Sequence, residues 1–194
     1  MSFKVLVIPE DFTKDQHILK PLVKRVLQEA GKPMAFVQIC LDPRFQGISQ
    51  CLNVPRLRKE VLPRHPMTDL FLLIVDRDGR EGRATELEYV ATQLKPDLRG
   101  RQLFLVEMAR QEVEVLLIGG HRLERSWKWN DIREDPHVKE TYFQRLVDRE
   151  GTGLAPHEGR KELMETAMKN WKNICHRCPE ETTGLAARIR SGLS

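Results

Sequence analysis

An unbroken apolar run, Leu70-Phe71-Leu72-Leu73-Ile74-Val75, ends abruptly in Asp76-Arg77-Asp78-Gly79. Six successive apolar residues with many branched side chains suit a central strand of a parallel sheet, covered on both faces. In open α/β sheets the reactive crevice lies beyond the carboxyl ends of such strands. Two carboxylates one residue apart at that edge can converge on a hard divalent cation such as Mg²⁺, which takes carboxylate and water oxygens. Asp-Gly is also a common turn dipeptide, so a polar turn is the plain alternative.

A second acid sits in a matching place. Phe3 to Ile8 reads as a short apolar strand, followed by Pro9-Glu10-Asp11-Phe12-Thr13. Ile18, Leu19, Leu22, Val23, Val26, Leu27 and Ala30 then recur at helical spacing. Thr13 or Asp11 can cap this helix, and Gly31-Lys32-Pro33 stops it. If the two strands are neighbours, Glu10, Asp76 and Asp78 meet on one edge of the sheet. Crowded carboxylates repel one another, and without a cation one of them would take up a proton.

These motifs resemble the Toprim fold, the catalytic domain of topoisomerases, bacterial primases and OLD-type nucleases, with a Glu after the first strand and Asp-x-Asp after a later one. Within that fold the chain resembles more closely the small stand-alone Toprim-like proteins of bacteria, a family of largely unknown function often encoded beside an ATPase. Their opening reads roughly Glu-Gly-x-Thr-Glu; Glu10, Phe12 and Thr13 follow it, whereas Asp11 replaces the Gly and Lys14 the second acid. Asp15 lies close by, but its direction on the helix differs. Downstream, Gln102 to Val106 reads as a strand, and the Glu-rich segment Ala109 to Leu117 offers Glu112 and Glu114 as further acids. Acids at a helix start are favoured by the helix dipole alone, which accounts for them equally well. The tail, Gly159 to Leu163 and Cys175 to Pro179, is similar to the family's closing helices.

The resemblance implies a metal-dependent phosphodiester-processing enzyme, a Toprim-type nuclease acting on DNA or RNA, with anti-phage defence as a setting and an ATPase as partner. It implies Mg²⁺ (or Mn²⁺) on Glu10, Asp76 and Asp78, with Glu112 or Glu114 completing the site. Glu10 would be a metal ligand or the general base and acid. Two alternatives stay open. A haloacid-dehalogenase-type phosphohydrolase also uses Asp-x-Asp, but at its first strand. A non-catalytic Toprim-like subunit that binds nucleic acid or regulates a partner ATPase is favoured by Asp11 and Lys14.

Alternating strands (3–8, 34–39, 70–75, 102–106) and helices (15–30, 85–94) predict an α/β fold, a mainly parallel sheet flanked by helices. Residues 1–120 form that core, and 121–194 form a helical extension packed on it, with helices around Val138–Val147 and Leu163–Ile174. The loops at 42–54 and 151–159 are the least determined. At 194 residues, 40% hydrophobic and 31% charged, the chain can bury a sizeable core. No run approaches the roughly 20 apolar residues needed to span a bilayer, and the start lacks signal-peptide character. A cytoplasmic protein without a membrane partner is the expectation, with its oligomeric state open.

Cys175-x-x-Cys178 closes a predicted helix, so neither a redox motif nor a zinc site is expected of the four cysteines. The charge is mild: 32 basic and 28 acidic residues give +4. Its distribution carries more information. Arg77, Arg80 and Arg83 follow the Asp-x-Asp directly, and Trp127-Lys128 lies in a segment where aromatic and cationic residues interleave. Such residues can hold phosphates and stack bases, which makes nucleic acid, DNA ahead of RNA, the expected partner. Packing of Trp127 into the core is the simpler alternative.

Overall fold

A computed structural model describes residues 2–193. Four strands form an all-parallel sheet in the order β2-β1-β3-β4: β1 (Lys4–Pro9), β2 (Phe36–Ile39), β3 (Leu70–Asp76) and β4 (Leu103–Ala109). Each predicted strand is present. The first, third and fourth run on by one to three residues at their carboxyl ends, where the site acids begin. β3 is central and buried along its apolar run, as the absence of polar alternation demands.

The crossovers follow the parallel-sheet rule of helical connections. Helix α1 (Gln16–Glu29) joins β1 to β2 on one face and buries Ile18, Leu19, Leu22, Val23, Val26 and Leu27. It ends in a Schellman turn, where the Lys32 amide donates to the Leu27 carbonyl at 2.8 Å and the Gly31 amide to that of Gln28 at 3.1 Å. Gly31 takes φ 81° there, the left-handed conformation that closes the motif. At the helix start Asp11 Oδ1 accepts the Thr13 amide at 2.8 Å, and Asp15 Oδ2 returns to accept the Asp11 amide at 2.9 Å.

The opposite face is covered by the β2–β3 connection and by the helix between β3 and β4. That connection holds α2 (Ile48–Cys51), α3 (Val54–Arg56) and a π-helical turn at Leu57–Val61; α4 (Arg83–Leu94) leads into β4. Leu6, Ile8, Phe71, Leu73 and Val75 pack there against Phe45, Leu57, Val61, Leu87 and Val90. The chain thus leaves β1 towards β2, then returns past β1 to β3 on the other face. The reversal puts a topological switch point between the carboxyl ends of β1 and β3.

Beyond β4 the chain is helical: α5 (Glu114–Gly119), α6 (Trp129–Glu134), a π-helical turn at Lys139–Phe143, α7 (Gln144–Glu150), α8 (Arg160–Lys169), α9 (Trp171–Arg177) and α10 (Leu185–Gly192). Leu163, Ile174 and Ile189 share one apolar core with α1 and with Val5, Leu70 and Leu72 of the sheet. The helix expected around Leu163–Ile174 is two helices broken at Asn170. Its side-chain amide leaves the helix axis to bond the Gly120 carbonyl at 3.0 Å, the competition with backbone bonding that makes Asn a poor helix residue. No helix among the described residues is long and apolar enough to cross a membrane.

Gly120 ends α5 against α8: a Cβ there would lie 2.6 Å from the Ala167 backbone. Gly120→Ala should therefore lower unfolding stability by about 1–3 kcal/mol through overpacking. Gly153→Ala, whose Cβ would meet only the Val147 side chain at 3.6 Å, should stay within about 0.5 kcal/mol. Urea denaturation of the three proteins decides it, and equal losses would contradict the packing described.

Candidate metal centre at the carboxyl edge of the sheet

The parallel pairing of β1 with β3 runs in register from Val5↔Leu70 to Pro9↔Ile74. Glu10 and Asp76 therefore leave neighbouring strands at the same level. The Asp76 backbone amide and that of Ile48 hold the Glu10 carboxyl down, Arg83 attracts it, and Asp78 repels it. Burial is the largest influence, and its net result is a raised pKa. Glu10 Oε2 is buried with no hydrogen-bond partner.

Asp76 is the hub. Burial pushes its pKa well up, and Asp15, Glu114, Glu10 and Asp78 all repel its negative charge. Its Oδ1 accepts the Val113 amide at 2.9 Å, which fixes the carboxylate against the start of α5. Asp78 stands exposed at φ 51°, a left-handed conformation uncommon outside glycine. A clasp holds that turn in place. The Gln111 carbonyl accepts the amides of Arg77 at 2.8 Å and Asp78 at 3.1 Å, and Gln111 Oε1 accepts the Gly79 amide at 2.8 Å. Gln111 itself sits at φ 66°. Nothing in its sequence neighbourhood marks it, because its partners lie over thirty positions away.

Asp15 corrects an expectation. A different direction on the helix was expected to set it apart as a stand-in for the second acid, yet it precedes α1, is buried, and interacts with Glu10, Asp76 and Glu114. Burial raises its pKa to about 7, against the pull of the Asp11 amide, and Glu114 adds to the rise. Lys14 instead faces Glu158. Of the two acids beyond β4, Glu114 joins the cluster, buried at 4% exposure, but is bonded to Arg160. Glu112 turns elsewhere: its Oε2 accepts the Lys139 amide at 2.6 Å, starting the π-helical turn. Burial raises it to about 7.

The cationic residues divide similarly. The β3–α4 loop carries Arg77 and Arg80, and Arg83 opens α4. Arg80 is exposed and bonds Glu86 at 2.7 Å, while Arg83 is buried on the other Glu86 oxygen at 2.9 Å. Arg77 lies 4.0 Å from Glu134 and lines a cleft of about 260 Å³ with Arg110, Arg133 and Arg188. Trp127 departs from the expected base-stacking role. It is 8% exposed, in a T-shaped contact with Tyr142 at 5.2 Å and covered by Arg145 at 5.3 Å, so it packs rather than standing open to a base. Only Lys128 of that pair is presented to solvent.

All five acids, Glu10, Asp15, Asp76, Asp78 and Glu114, offer hard oxygen donors suited to Mg²⁺ or Mn²⁺. No three His, Cys, Asp or Glu side chains among the described residues stand as a ready-made ligand set. Comparison with protein-family models, with curated proteins and with solved structures finds no match to this chain.

The raised acids make a signed prediction. Folded, Asp15 keeps its proton to about pH 7, whereas an unfolded aspartate loses it near 3.8. Protons thus favour the folded state, so stability is greatest below pH 4 for this group and falls as pH rises towards 7. Glu10, Asp76, Glu107 and Glu112 act in the same direction. In chelator, stability against thermal unfolding should fall from pH 5 to pH 8, with Asp15 contributing about 1–4 kcal/mol. Asp15→Asn should flatten the slope; an unchanged slope would show that Asp15 does not titrate in this window.

Proposed function

We propose that this chain is a divalent-cation-dependent phosphodiester-processing enzyme, a nuclease acting on DNA or RNA. The observation that supports the reading is the placement of Glu10 and Asp76 just beyond the ends of neighbouring strands, with Asp78 two residues on, at the β1–β3 switch point, the place where open α/β sheets bind ligands. The donor chemistry suits a hard cation, and Glu10 Oε2 is a buried oxygen still without a partner. Similarity of the opening motif and the Asp-x-Asp to Toprim proteins adds support; a partner ATPase and a setting in anti-phage defence rest on that similarity alone.

Asp76 and Asp78 would hold the ion, Asp76 through the oxygen not given to Val113. Bound there, Mg²⁺ or Mn²⁺ would polarise the phosphate and offset the charge that builds on it. Glu10, with its pKa raised by burial, is suited to take the proton of an attacking water and to return one to the leaving oxygen. Arg77 and Arg80, at the mouth of the same loop, would meet phosphate oxygens. Glu112 has one oxygen on the Lys139 amide.

One observation favours a second reading, a non-catalytic Toprim-like subunit that binds nucleic acid or regulates an ATPase. The acids do not stand as a ready ligand set, and Glu114 is already answered by Arg160. Activity separates the two. The purified chain should nick or cleave DNA or RNA in Mg²⁺ or Mn²⁺ and stop in chelator. Glu10→Ala and Asp76→Ala should each lower the rate by about 10²-fold or more, whereas Lys172→Ala, on exposed α9 surface, should leave it unchanged. Binding without cleavage, alike in wild type and both acidic variants, would establish the subunit reading.

A further inference from the structure

The two outer edges of the sheet are treated differently. On β4 the Leu103 amide donates to the Asp69 carbonyl, so residues 103, 105, 107 and 109 turn to β3 and residues 104, 106, 108 and 110 turn out. Side chains close the carboxyl half of that edge. The Val106 carbonyl accepts Arg188 Nη1 at 2.9 Å, the Met108 amide donates to Glu107 Oε1 at 3.0 Å, and the Arg110 amide to Glu181 Oε1 at 3.2 Å. Charged groups laid over an edge in this way block pairing with another strand.

Strand β2 has no such cover. The Phe36 amide donates to the Phe3 carbonyl and the Cys40 amide to that of Val7, both at 2.8 Å. Residues 36, 38 and 40 therefore turn to β1, and Val37 and Ile39 turn their amides and carbonyls outward. β2 pairs with β1 alone, and among the described residues no hydrogen bond reaches those outward groups. The strand itself, Phe36-Val37-Gln38-Ile39, carries no charge and no proline to discourage a partner. Apolar surface gathers at the same edge. Met34 and Phe36 are exposed at the start of β2 and Leu41 just past its end. Exposed Met67 shares with Phe36 and Gln38 a groove of about 250 Å³ beside the strand.

This edge matches itself. An antiparallel copy related by a two-fold axis through Gln38 sets Val37 opposite Ile39 of the second copy, and Ile39 opposite Val37. Each pair exchanges two hydrogen bonds, so every outward group is answered. The same axis brings Ala35 and Phe36 of one copy alongside Leu41 and Cys40 of the other, so the apolar ends meet. Axes through Val37 or Ile39 would need Ala35 or Leu41 as further partners. The Ala35 amide is already given to the Lys32 carbonyl at 3.1 Å, and Leu41 lies beyond the strand. One patch that complements itself is the requirement of a two-fold dimer.

We infer that the outer edge of β2 is a homodimer interface: two copies pair antiparallel through Val37 and Ile39, joining their sheets into one. The inference is independent of the metal-centre reading. Because the paired strands run in opposite directions, the carboxyl edges of the two sheets, with their acids, lie at opposite ends of the dimer.

Sedimentation equilibrium and disulfide trapping test it together. Wild type should approach twice the 22.6 kDa of one chain as concentration rises. Trapping reads the register, in a Cys175→Ser background that removes the one native thiol not buried. There Gln38→Cys should form a covalent dimer under mild oxidation, because residues 38 of the two copies face each other with Cα atoms about 4.5 Å apart, within disulfide reach. Met34→Cys should not, since the two positions 34 lie at opposite ends of the joined strands. Both side chains are exposed, so neither substitution disturbs the core. A wild type that keeps the mass of one chain at every concentration overturns the inference. So does a dimer that fails to trap at Gln38→Cys, or that traps equally at Met34→Cys, because its contact then lies elsewhere or in another register.

Discussion

The parallel register of β1 against β3 is the constraint on which the rest depends. It brings two strand ends to one level, so that the residues just beyond them, Glu10 and Asp76, share an edge. That register is fixed from within: the side chains of Leu70 to Val75 are buried on both faces, and a slip by one residue would exchange every packed partner. Order β2-β1-β3-β4 then makes the chain reverse direction between these strands, which puts the acids at a topological switch point. A hydrophobic fit thus determines where charge collects.

Collected there, the charge has to be answered. Burial and mutual repulsion raise Glu10, Asp15 and Asp76 together, while Arg83 attracts Glu10 and Arg160 pairs with Glu114. Neutral backbone donors do the remaining work at hand, the Val113 amide on Asp76 and the Asp11 amide on Asp15. Protons complete the balance in the absence of metal, at a cost in stability as pH rises. A divalent ion would displace those protons, which makes cation affinity and pH dependence two views of one electrostatic condition.

Much of this was legible in the sequence because its signals are local. An apolar run without alternation specified β3, helical spacing specified α1 and α4, and Gly31 marked the end of α1. The three acids at strand ends followed from the same runs. What was not legible depends on partners far along the chain. Arg160 sits in an ordinary charged stretch, and only the fold brings it to Glu114, forty-six positions away. Gln111 becomes a clasp through backbone groups near Asp78. Asp15 turns inward because its carboxylate returns to the Asp11 amide before α1 begins. Trp127 follows the packing alternative, and one oxygen of Glu112 goes to a helix start, neither of which its own stretch of sequence marks.

Anomalous diffraction from crystals grown with Mn²⁺ tests the central claim most directly, because it locates the ion without reference to activity. The account predicts one strong peak beyond the carboxyl ends of β1 and β3, with oxygens of Asp76, Asp78 and Glu10 at about 2.1–2.2 Å or joined to it through water. No peak there at saturating Mn²⁺, or a peak bound by other residues, would contradict it.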